Sequence, residues 1–194
     1  MAKSSAFANS DHAYAWLTGD AFRAPTGTGA PLNVFTQDAV PSTGTGTPVL
    51  WEPFGAVEAG LDKTPTQTLN RLGAFNVIDY DYKVLRERVQ ETLKFRALDY
   101  SKAAVMTALG GGSIVELGTG SGVFQWDVES GEEFAFLWSS IDGDDGVAYW
   151  CPKVTLGTPT GSKIDGKSID GFDFEIINLA PIKRLRTEND LTKV

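Results

Sequence analysis

Around residue 93 the chain alternates. Leu93, Phe95 and Ala97 fall on one side, and Thr92, Lys94 and Arg96 on the other, the two-residue period of a half-buried strand. The pattern runs back through Val89 and Leu85 and predicts one long strand over 84–98. Glu87 and Glu91 share that side, so the first half is not expected to be buried on both faces. The period then changes. Ala104, Val105, Ala108 and Leu109 recur at helical spacing, which predicts a short α-helix at about 100–109. Asp99 or Ser101 is placed to cap it, and the glycines at 110–112 to end it. A helix of that length is marginal alone and must dock on a sheet.

Almost everything else reads as strand or loop. Strands are predicted over 113–117, 123–128, 133–139, 147–156 and 172–179, with turns at 118–120, 130–131, 142–146 and 157–166. Regular turns between short strands signal a sandwich or barrel. Residues 134–138 (FAFLW) are apolar on both faces, so that strand is central or lies at an interface. Pro152 places its strand at an edge or a bulge, because it donates no ladder bond. Residues 13–22 suit a strand or strand pair, with Gly19-Asp20 as a turn. Residues 51–61 read as a strand interrupted by Pro53 and Gly55, with 66–72 as a partner. Residues 24–48 are rich in Pro, Thr and Gly, and predict a long loop or projecting hairpin. The expected organisation is an N-terminal arm over 1–11, a β domain over 12–181 and a C-terminal arm over 182–194, basic first and then polar.

Composition narrows the function. The chain has 194 residues, 42% of them hydrophobic, enough for one domain with a real core. The single cysteine, Cys151, excludes an internal disulfide and fits folding in a reducing cytoplasm. No apolar run is long enough to span a bilayer, and the first ten residues lack the apolar region of a signal peptide. The net charge of −8 argues against a basic grip on nucleic acid.

Sequences that look like chemistry give weak signals. SIVELGTGSG over 113–122 mimics the S-adenosylmethionine motif of class I methyltransferases. That motif needs a helix after its glycines. Here Val123, Gln125 and Asp127 alternate with Phe124, Trp126 and Val128, a strand period, so a hairpin is expected. DGDDG over 142–146 offers carboxylates for calcium but lacks the twelve-residue loop and closing glutamate of an EF-hand, so an acidic turn is expected. His12, the lone histidine, is the only base a Ser-His-Asp or Cys-His device could use. It is expected to be solvated or packed, Cys151 to be a small buried residue, and Glu132-Glu133 and Asp144-Asp145 to be solvated turns. No catalytic residue, cofactor or metal site is predicted.

The order of the segments WEPFGAVEAGL, ETLKFRALDYSKAAVMTALGG, YWCPKVTLG and DGFDFEIINLAP resembles the major tail tube protein of long-tailed, siphovirus-type bacteriophages. SDHAYAWLTGDAFRAP is similar to versions in phages of actinobacteria. The resemblance covers roughly residues 10–181. It implies an antiparallel β-sandwich or barrel-like core with a flanking helix, and self-assembly into stacked hexameric rings whose lumen conducts viral DNA. It also implies contacts with the tape measure protein and tail-end proteins, no membrane insertion, no enzymatic activity, and assembly in the host bacterial cytoplasm into a virion. A tail terminator, a distal tail protein and, more remotely, a capsid decoration protein are neighbouring readings; the methyltransferase is a competing one.

Overall fold

The structure, a computed structural model, describes residues 16, 18–36, 40–44, 49–73, 81–158, 160–161 and 167–187. In chain order the elements are β1 (Thr18–Pro25), β2 (Glu52–Pro53), β3 (Asp62–Thr66), β4 (Leu69–Leu72), β5 (Lys83–Arg86), β6 (Gln90–Ala97), α1 (Lys102–Leu109), β7 (Ser113–Glu116), β8 (Phe124–Asp127), β9 (Glu133–Asp142), β10 (Asp145–Leu156), β11 (Phe172–Asn178) and β12 (Lys183–Arg186). Among the described residues the fold is mainly β with one short helix, as the periodicity predicts.

Eight strands form the main sheet, in the order β2-β1-β9-β10-β11-β6-β3, with β12 also on β10. Neighbours pair antiparallel throughout. The residues after β2 cross from one end of this sheet to the other. Phe54 donates its N–H to Ala21 on β1, and Leu98 donates to Ala56 beside the end of β6. The crossing segment draws the two ends toward each other, and Phe54 sits inside the curl, fully buried.

The inner face carries Leu93 and Phe95 of β6, Phe134, Phe136 and Trp138 of β9, and Phe172, Phe174 and Ile176 of β11. Phe54 meets Phe95, Phe136 and Phe174 edge-on, at centroid distances of 5.1, 6.3 and 5.4 Å. Each such ring is worth roughly 1.5–3 kcal/mol in burial alone. The outer face of β1, β9 and β10 is covered as well. Phe22, Ala24, Ala135, Leu137, Ala148 and Trp150 pack under Val34 and Trp51. Residues 134–138 are therefore buried on both sides, as their composition requires.

Pro152 sits at a bulge. The register of β10 against β9 shifts between Cys151 and Val154. Before the bulge β10 takes β12 as its second partner, and after it β11. The displaced carbonyls are used: that of Pro152 accepts from the N–H of Gly27 at 2.8 Å, and that of Lys153 from Leu179 and Ala180 at 2.9 and 3.1 Å. Of the two positions expected for Pro152, the bulge is the one found.

Ser101 caps α1, its side chain accepting from Ala104 N–H, and Gly110 ends the helix in the left-handed region at φ 60°. Asp99 does other work and accepts from the N–H of Ala56 at 2.7 Å. The helix is shorter than expected. Its buried side is Ala103, Ala104, Thr107, Ala108 and Leu109, so Thr107 replaces the half-buried Val105 in the inward stripe. Thr107 is tolerated there because its hydroxyl bonds the Ala103 carbonyl at 2.7 Å.

Four expectations need correction. Gly19 and Asp20 are not a turn; they lie within β1, opposite Ser140 and Ser139. A side chain at Gly19 would stand 2.6 Å from the Trp138 ring, so the glycine serves packing. Residues 84–98 are not one strand but β5 and β6, and 66–72 is divided between β3 and β4. Thr66 faces Gln90 and Leu69 faces Arg86, so two residues on one side oppose three on the other, and the ribbon breaks there. The 24–48 segment begins inside β1, and its described part lies against the sheet rather than projecting, with Val34 and Pro41 buried. Residues 183–186, expected in an arm, form β12 within the sheet. The expected N-terminal arm, residues 188–194 and His12 fall outside the described residues.

Candidate assembly surfaces

Among the described residues two thin ribbons lie apart from the main sheet. The first, β4 with β5, continues the β3–β6 pair past the offset at 67–68. Leu69, Arg71, Val84 and Arg86 share one face, and Asn70, Leu72, Lys83 and Leu85 the other. All eight are exposed. Glu87 at the break is held by Asn70 and Gln67, the amides donating to its carboxylate and carbonyl at 2.9 and 2.8 Å.

The second, β7 with β8, follows the helix. Ile114 faces Trp126 and Glu116 faces Phe124, while Leu117 donates its N–H to the carbonyl of Val123 at 2.8 Å. One face thus carries Ile114, Phe124 and Trp126, and the opposite face Val115, Leu117 and Val123. Phe124 is 60% exposed, Val123 55% and Leu117 54%. Trp126 stacks loosely on Phe172, at a centroid distance of 6.2 Å.

The glycines of the apparent cofactor motif serve this hairpin. Gly118, Gly120 and Gly122 have φ of 93, 79 and 67°, the left-handed region that other residues enter at a cost. The carboxylate of Glu116 accepts from Gly122 N–H at 3.0 Å and fixes the turn. An antiparallel strand follows the glycines instead of a helix, so the hairpin expected at 113–122 is what is found, and the helix N-terminus that would face S-adenosylmethionine is not there. At the root, Gly112 passes so close to the Asp127 carbonyl that a side chain would collide with it. Both Gly112 and Glu129 donate to the Leu109 carbonyl at 2.9 Å. The hairpin is pinned at its base to the end of the helix.

The other candidate groups are dispersed. Cys151 is buried in the core, its sulfur 3.2 Å from the carbonyl oxygens of Lys153 and Ala180. Burial raises its thiol pKa above the ordinary value, which disfavours the nucleophilic thiolate. Asp142 and Asp145 flank a two-residue turn at Gly143-Asp144 joining β9 to β10. Among the described residues no three His, Cys, Asp or Glu gather closely enough to hold a metal, and no helix is long and apolar enough to cross a membrane. Glu132 pairs with Arg23, and Glu133 with Lys153 at 2.8 Å, so the two acids turn to different cations. The Tyr100 hydroxyl donates to Asp170, and this bond raises the phenol's pKa. A groove of about 690 Å³ is lined by Asp20, Leu61, Trp138 and Tyr149 among others.

Sequence reasoning missed the exposed apolar side chains of the two ribbons. Paired apolar neighbours such as Ile114-Val115 and Val123-Phe124 were a signal, because a hairpin with both faces apolar needs cover on both sides. No protein-family model and no curated protein matches the chain.

Proposed function

We propose that this chain is the repeating subunit of a tube, the major tail tube protein of a long-tailed bacteriophage. It assembles as stacked hexameric rings around a lumen that conducts viral DNA. One observation carries the reading. The apolar side chains of β4–β5 and β7–β8 are exposed, on two-stranded ribbons with open edges. Such ribbons are marginal alone in water, and open apolar edges invite pairing with other chains. A neighbouring copy that covers them recovers roughly 25 cal/mol per Å² of apolar surface. Contacts between different surfaces of identical copies close into rings or continue as filaments.

The net charge of −8 suits a conduit for a polyanion, because like charge keeps DNA moving instead of holding it. In this reading the tape measure protein and the tail-end proteins bind during assembly in the host cytoplasm, and the product is part of the virion.

Electron microscopy of the purified protein tests the proposal. Six-membered rings and tubes that lengthen with concentration are expected. Single rings that never stack assign the chain instead to a tail terminator or distal tail protein, and copy number in virions separates those cases. A monomer at every concentration and ionic strength refutes the tube.

A further inference from the structure

We infer that the β7–β8 hairpin is the element each subunit inserts against a second copy of this chain, buried on both of its faces in the assembly. The inference rests on the self-assembly reading above and names the part that performs it.

Several features select this ribbon over β4–β5. The latter carries Lys83, Arg71 and Arg86 among its eight strand residues, and Arg71 pairs with Asp81 at 3.4 Å in solvent. Over 113–128 there is no lysine or arginine. It therefore lacks the cationic phosphate contacts from which a DNA-binding element draws its affinity. Its polar groups are largely occupied within the hairpin: Glu116 with Gly122 N–H, and Gln125 with Asp127 at 2.8 Å. They need few outside partners when the hairpin is covered.

Area points the same way. The exposed fractions of its apolar residues leave roughly 500 Å² uncovered over its two faces, more than half of the ~800 Å² each partner gives a stable interface. This surface is divided between two faces of one ribbon. Covering a single face leaves the other wet, so the hairpin fits a slot better than a flat surface. The pinned root at Gly112 holds it in a fixed direction, which lowers the ordering cost of association.

Hydrogen exchange on the full chain, dilute and concentrated, tests this together with the double variant V115D/F124D. Amides within 113–128 are expected to exchange at least tenfold more slowly in the assembled form. The variant is expected to remain monomeric where the parent assembles, with an unchanged far-ultraviolet spectrum. Parent assemblies in which these amides exchange as fast as in the monomer overturn the inference and leave the tube standing. A folded variant that assembles like the parent does the same. A parent that never assembles overturns both, whereas hairpin protection seen only with phosphatidylcholine vesicles overturns the inference alone. If the variant misfolds, exchange of the parent decides.

Discussion

Arg23 of β1 and Glu132, just before β9, pair across the inner face of α1. The Arg23 side chain is 6% exposed and that of Glu132 27%. The guanidinium also donates to the Thr107 hydroxyl of α1 at 2.8 Å and lies over the Phe134 ring, 4.6 Å from its centroid. One cation therefore joins the helix, the first strand and the central strand.

Breaking that pair from the cationic side leaves Glu132 and Thr107 without their donor. Arg23→Ala is expected to cost about 2–4 kcal/mol, and Glu132→Gln less, because the carboxylate is closer to water. Urea denaturation of both variants checks the order; equal and small losses would show that the pair does not hold the helix.

The aromatic cluster sets a second expectation. Phe95 touches Phe54, Phe136 and Phe174 at 5.1–5.4 Å between centroids. Phe95→Ala opens a cavity there and is expected to cost about 3–5 kcal/mol, a fall in Tm of roughly 2–4 °C per kcal/mol for a domain of this size. Calorimetry reads it directly.

Two glycines of the same hairpin should respond differently. Gly112→Ala drives a methyl group into the Asp127 carbonyl, whereas Gly118 has open space around it. Gly118→Ala is expected to cost only the backbone penalty of a left-handed residue, about 1 kcal/mol. Gly112→Ala is expected to cost clearly more and to alter Trp126 fluorescence by moving the hairpin root. Equal effects would mean that the root is not closely packed.

The C-terminal strand separates two truncations. Deleting 182–194 removes β12, with Leu185 packed on the outer-face core and Thr187 bonded to Gly146 at 3.0 Å. Deleting 188–194 keeps these contacts. The longer deletion is expected to lower Tm by many degrees more than the shorter; matched melting curves would show that β12 contributes nothing to the fold.

Cys151 gives a pH signature. Its thiol pKa is raised by burial, so the folded chain keeps that proton to higher pH than the unfolded chain does. The contribution to stability is constant below the unfolded pKa of about 8.5, and is lost as pH rises from there through the folded value. Cys151→Ala is expected to have a shallower decline between neutral and alkaline pH. Parallel stability curves for the two proteins would show that the thiol is not desolvated.

Local rules in the sequence determined a good deal. Alternation at 92–97 and the doubly apolar run at 134–138 depend only on side-chain period, and both strands lie where that period puts them. Ser101, Gly110 and the bulge at Pro152 follow from single-residue backbone chemistry. The glycines at 118, 120 and 122 followed by a strand period marked a hairpin for the same reason. Partner choice was decided only in three dimensions. Leu85 and Leu93 are in phase along the chain, yet an offset in the opposing strand sends β5 outward and keeps β6 in the core. Gly19 resembles a turn residue until the Trp138 ring is seen beside it. Arg23 looks like a surface charge until Glu132, Thr107 and Phe134, all distant in sequence, close around it. Periodicity records which residues share a face, but burial depends on what the rest of the chain brings against that face.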